Sequence, residues 1–139
     1  MSDGSAVSAA LLESFAAIPI NRHFGFRLQA CAAGRSEIAM PVQPQFRQEG
    51  GVVQGGVLSA AADAAAAYAL LPGLPPGHTM MGVEFKINFL APARIDGGDL
   101  LARGRAVRQG RTLGVVDVEV HQGERQVALG VFTFLFRPL

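Results

Sequence analysis

The chain has 139 residues, 50% of them hydrophobic and 17% charged, with 12 Lys and Arg against 11 Asp and Glu. At that length one domain is expected, and the composition is too apolar and too weakly charged for a disordered segment. Charges are spread along the chain, so no basic stripe marks a nucleic-acid or anionic-membrane partner, and a single cysteine, Cys31, excludes both an internal disulfide and a cysteine metal cluster.

Met1 to Ala10 carries Asp3 and no basic stretch ahead of an apolar core, unlike a secretory leader. The longest apolar run, Val57 to Leu71, is interrupted by Ser59 and Asp63 and is too short to span a bilayer. A soluble, cytoplasmic protein is therefore expected. Its positive mean hydropathy points to apolar surface buried between subunits.

From Ser5 to Ile18, apolar side chains at Leu11, Leu12, Phe15 and Ile18 follow a helical spacing that Pro19 stops. Phe26 to Cys31 and Ser36 to Val42 read as two strands around a turn at Gly34. Gly55 to Leu71 holds eight alanines and no glycine after Gly56, so it reads as a helix ended by Pro72. Being apolar on nearly every side, it is expected to be buried. Four strands should follow, about Thr79 to Leu90, Asp99 to Arg108, Arg111 to His121 and Arg125 to Arg137. In the third, Val116, Val118 and Val120 alternate with Asp117, Glu119 and His121. In the last, Phe132, Phe134 and Phe136 oppose Val131, Thr133 and Leu135, so both faces should be covered. An antiparallel meander beside one buried helix is an α+β domain.

Two features suggest chemistry. Asp63 lies among alanines on a helix expected to be buried, where an unpaired carboxylate is costly. A salt-bridged or solvent-reaching structural aspartate is the competing explanation. Gly50-Gly51-Val52-Val53-Gln54-Gly55-Gly56 leads into the same helix, leaving its first N–H groups bare at the positive end of the dipole. A packing turn would explain those glycines equally well. Eight residues of helix separate Gly55 from Asp63 by about 12 Å. One chain cannot easily bring both to one carbonyl carbon, whereas an antiparallel copy of the helix could. The isolated His23, His78 and His121 have no ligand-like spacing, so no metal site is expected. His23 reads as a loop residue.

The run Gly51 to Asp63 resembles the G-x-x-H-G-G-x-x-x-x-x-x-D signature of hotdog-fold acyl-CoA thioesterases, nearest the PaaI-like (phenylacetyl-CoA thioesterase) and 4-hydroxybenzoyl-CoA group. The similarity continues through Val83 to Ala93 and Gly104 to Arg111, in the right order and spacing. It implies a single hotdog domain over residues 1–139, about 1–22 being an N-terminal helix and lead-in. The antiparallel sheet would wrap one long central helix. It also implies a dimer or dimer of dimers acting on an acyl-CoA without cofactor.

By the same resemblance Asp63 is the catalytic carboxylate, and the Gly55 and Gly56 amides polarise the thioester oxygen from the facing subunit. Gln48 stands where relatives carry an Asn or Gln that positions water or substrate. Phe89 and Leu90 border the acyl or pantetheine tunnel, Gly82 touches substrate, and Arg108, Gly110, Arg111 and Thr112 meet the CoA arm. From its position five residues beyond Asp63, Tyr68 is expected either to line the acyl pocket and touch substrate or to pack in the helix interface of a dimer. Gln54 replaces the family's histidine and Ala64 its frequent Ser or Thr. Gln54 can donate a hydrogen bond but exchanges no proton near neutrality. A non-catalytic acyl-CoA or small-ligand binder is the alternative these changes leave open. A dehydratase of the same fold is less favoured because no histidine is placed for it.

Overall fold

The computed structural model describes residues 6–139; Ser5 and the first half of the Met1–Ala10 segment lie outside them. Helix α1 (Ala9–Ala17) starts at Ser8, whose hydroxyl accepts from the Leu11 N–H. The helix ends before Pro19 as expected, and a second one starts there. Pro19 is the first residue of a short helix α2 (Pro19–Phe24), where its missing N–H costs nothing. His23 lies on α2 rather than in a loop, its ring edge-on to Phe24.

Strands β1 (Arg27–Ala32) and β2 (Arg35–Met40) form a hairpin across Ala33–Gly34. Both turn residues have positive φ, 52° and 78°, matching the twist that two-residue hairpins favour. After helix α3 (Gly55–Leu70) come β3 (His78–Phe89), β4 (Leu100–Gln109), β5 (Leu113–Gln122) and β6 (Arg125–Pro138). Their bounds agree with the expected strands to within two residues. The sheet order is β1-β2-β4-β5-β6-β3, antiparallel throughout. Only β4, β5 and β6 form a sequential meander. β3 does not join β4, as a simple meander would require. It crosses to the far edge and pairs along β6 from His78↔Pro138 to Phe89↔Ala128.

The sheet curls around α3. Val116, Val118 and Val120 of β5 and Phe132, Phe134 and Phe136 of β6 all point into the core, as their alternation foretold. Close approach needs small residues on both sides. Ser36 donates to the Ala65 carbonyl, and a β-carbon at Gly104 would stand 2.6 Å from that same oxygen. Leu58, Ala61, Ala62, Ala65, Ala66, Ala69 and Leu70 form the buried side of α3.

Two burial expectations are corrected. The helix is not covered all round: Gly56 and Asp63 are exposed, and Ala60 and Ala67 between and beyond them half-buried. These four recur at helical spacing and make one open stripe. Nor are both faces of β6 covered, since Leu129, Val131 and Leu135 on the outer face stay 42%, 45% and 38% exposed. Apolarity alone does not place a residue inside its own chain. Counted through Gly73, this helical segment is long and apolar enough to cross a membrane, yet it is the helix the sheet wraps.

Candidate active site

The segment before α3 is held from both sides. Phe46 is buried, its ring tilted against that of Phe24, and its backbone carbonyl accepts from the Gln54 N–H at 2.9 Å. The Val53 N–H reaches the Ala93 carbonyl at 2.7 Å, and Val52 bridges Arg94. Gly50 and Gly51, at φ of 76° and 73°, make the left-handed turn that returns the chain to this position. The Gln48 N–H closes the turn onto the Val52 carbonyl at 2.8 Å.

Gln54 is the cap residue of α3 but makes no side-chain cap hydrogen bond. The Val57 N–H turns back to the Gln54 carbonyl at 2.9 Å, leaving the Gly55 and Gly56 amides for other acceptors. Both glycines have ordinary helical backbone, and each leaves space that a neighbouring side chain occupies. A β-carbon at Gly55 would come within 2.8 Å of the Phe89 ring, and one at Gly56 within 2.7 Å of the Gln54 Oε1. In front of them lies a cavity of about 530 Å³. Its walls are Gln48, Val52 to Gly56 and Leu58 on one side and Phe89 to Ala93 on the other. No charged side chain lines it. Gln48 also borders a neighbouring cleft of about 500 Å³ formed with Arg47, Glu49, Gly50 and Gly51.

One chain thus brings together Gln48, Gln54, Gly55, Gly56, Phe89 and Leu90 of the expected site residues. It does not bring Asp63 to them. Asp63 stands on the open stripe of α3, with no salt bridge within reach among the described residues. Its carboxyl is raised above the ordinary aspartate range by desolvation, even though its tip is exposed. Of the competing explanations, the salt-bridged aspartate is absent among the described residues, whereas the exposure of Asp63 agrees with the solvent-reaching one.

The remaining expected contacts lie elsewhere. Tyr68 packs its ring edge-on against Phe15 of α1 and meets the Asn21 side chain, holding the N-terminal helices to α3 rather than facing the cavity. Burial, chiefly, pushes its hydroxyl upward, as it does the Cys31 thiol, whose Sγ donates to the Tyr68 carbonyl. Gly82 sits on β3 opposite Phe134 with room for a β-carbon. Arg108, Gly110, Arg111 and Thr112 form the β4–β5 hairpin, at the Leu70 end of α3, where Gln109 donates to the Leu70 carbonyl. Among the described residues no three His, Cys, Asp or Glu side chains converge.

The sequence profile of the Thioesterase superfamily matches residues 50–129, more than half of the chain, including the Val52 to Leu58 and Phe89 to Ala93 walls of the cavity. The chain belongs to the thioesterase superfamily. It is a thioester hydrolase of the hotdog fold. A thioesterase family protein from Silicibacter pomeroyi is 30% identical, with a TM-score of 0.84 over 91% of this chain and 95% of its own. A phenylacetic acid degradation-related protein from Ralstonia eutropha is 28% identical, with a TM-score of 0.83 over 91% and 97%. A thioesterase from Haemophilus influenzae, at 24% identity, shares the fold with a TM-score of 0.85 over 97% and 94%. In this thioesterase, sequence reasoning missed the facing wall, Ala91 to Ala93. Its Pro92 was visible, but nothing local says that a loop after one strand returns to a distant helix start.

Proposed function

We propose that residues 1–139 act as one acyl-CoA thioesterase domain, cleaving small to medium, uncharged acyl groups, aromatic ones among them. The active unit is a homo-oligomer, a dimer or dimer of dimers, in the cytoplasm. Asp63 of one subunit acts as general base on water or as nucleophile. The Gly55 amide of the other, with Gly56, receives the developing oxyanion. Gln48 orients water or substrate, and Gln54 donates to the carbonyl without exchanging a proton. The thiolate leaves without a strong acid, since a thiol pKa is about 8.5.

The observation that carries this reading is the separation of the two halves: an uncapped Gly-Gly helix start in a cavity without charged lining, and an unpaired, desolvated aspartate about 12 Å along the same helix. The free edge of β3 supports the missing copy. That strand is 12 residues long, and its inner-face Phe85 is 50% exposed, although stacked on buried Phe132 at 5.0 Å. Antiparallel pairing there would continue the sheet and lay two copies of the α3 stripe alongside each other. A cavity lined by no charged side chain among the described residues favours acyl groups without charge.

Free-thiol release from a panel of CoA thioesters that includes phenylacetyl-CoA tests the proposal. Asp63→Asn should lower turnover roughly 10³-fold with the fold retained. Unchanged turnover in that variant would overturn the assignment, and tight acyl-CoA binding without turnover by the wild type would favour the binder.

A further inference from the structure

Gln122, the last residue of β5, is far from α3 in sequence and absent from the cavity wall. Its side-chain amide nevertheless makes three hydrogen bonds to the loop that forms that wall. Oε1 accepts from the Arg94 N–H at 2.8 Å, and Nε2 donates to the Arg94 carbonyl at 2.7 Å and the Gly98 carbonyl at 2.9 Å. The turn lies flush on the amide, because a β-carbon at Gly97 would fall 2.5 Å from the Gln122 Cδ. Arg94 in turn bridges Val52, the Ala93 carbonyl accepts from Val53, and the Gly51 carbonyl accepts from Ile95 at 3.1 Å. One glutamine therefore clamps the backbone rung that joins both cavity walls, one residue before the cap of α3.

We infer that Gln122 is a positioning residue for substrate selection. It fixes the spacing between Ala91–Ala93 and Val52–Gln54, and so the width of the acyl cavity and the placement of the Gly55 amide within it. Loops without such ties move, and a wall that moves accepts many acyl shapes poorly instead of one well. The clamp does not touch Asp63, so proton transfer is outside its reach. The inference rests on the acyl-cavity reading above.

Two variants and one exchange measurement test it. Gln122→Met keeps the length and loses all three hydrogen bonds. Gln122→Glu keeps the acceptor for Arg94 and sets charge against two carbonyl oxygens. Both should lower kcat/KM for the preferred thioester roughly tenfold, mainly through KM, and flatten the preference among acyl lengths. The pH midpoint of turnover should stay where it is. Selectivity and KM within twofold of wild type would overturn the inference. So would a loss of activity that only tracks the fraction folded. Amide hydrogen exchange on the unmodified protein needs neither variant nor turnover. The Arg94 and Val53 amides should exchange as slowly as those of β5, and exchange at the rate of open loops would overturn the clamp even if no variant folds. A wild type that cleaves no thioester, with those amides protected, would instead overturn the acyl-cavity reading alone.

Discussion

The two ends of α3 face the same physical problem and solve it oppositely. Every helix leaves N–H groups unpaired at its start and carbonyls at its finish. At the finish the chain meets its own needs. Gln109 reaches across to the Leu70 carbonyl at 2.9 Å, Cys31 to that of Tyr68, and the Leu74 N–H to that of Leu71. At the start, the cap residue Gln54 offers no side-chain bond, and Gly55 and Gly56 open onto a cavity of about 530 Å³. One end of the helix is tied down by its own chain, while the other opens bare onto a cavity, as the proposed role of its amides requires.

The largest expected effect tests what arrives. Gly55→Ala keeps the amide but drives its β-carbon into the Phe89 ring, whose tip can swing only into the cavity region, so turnover should fall about 10²-fold. Asp63→Asn should be poorer still. Mixing equal amounts of these two nearly inactive chains by co-refolding should restore about a quarter of wild-type turnover. Half of the re-formed dimers are mixed, and each mixed dimer carries one intact site of two. If carboxylate and amide act within one chain, the mixture stays at the average of the two variants, and the composite site is wrong.

The opposite end should respond differently. Gln109→Ala leaves the Leu70 carbonyl unpaired where Gly73 packs against the missing amide. A loss of about 1 kcal/mol is expected, a few degrees in Tm, measured by thermal unfolding. An unchanged Tm would mean that solvent replaces the side chain and that the contrast between the two ends is overstated.

How far the sequence disclosed this arrangement depends on the range of each signal. Alanine content located α3 to within a residue, and alternation oriented β5, because both are local. The position of β3 was not legible: its partners lie 39 to 60 residues later, and a run of strands with short turns looks the same whether it forms a meander or crosses over. The covering of α3 and β6 was misjudged for a related reason. An apolar face reads identically whether it is buried by its own chain or left open, as Val131 and Ala67 are here to different degrees. In the site, Gly-Gly and Asp63 stood out as local oddities. Tyr68 did not distinguish itself as an anchor for Phe15, since an aromatic at that spacing suits a pocket as well as a helix contact. Gln122 carries no local signal, and only the folded backbone brings Arg94 and Gly98 to its amide.

The smallest effect concerns stability and follows from the sign of the shift at Asp63. Desolvation raises its carboxyl above the value of about 3.9 it has in an unfolded chain. Between those two values the folded state holds a proton that the unfolded state has released. The stability linked to this group is therefore present in full below about pH 3.9 and is lost as pH rises through the raised value. Above it the charged carboxylate is a standing cost. Asp63→Asn removes that cost, so the variant should melt slightly higher than wild type at pH 7, and the gap should close as both are taken toward pH 3. Partial exposure of the side chain keeps the effect small. A variant that melts lower at pH 7, with a gap that does not depend on pH, would mean that Asp63 supports the fold instead of being tolerated by it. A cost of this kind at the bare stripe, set beside the satisfied carbonyls at the other end of the same helix, is what a residue kept for catalysis should display.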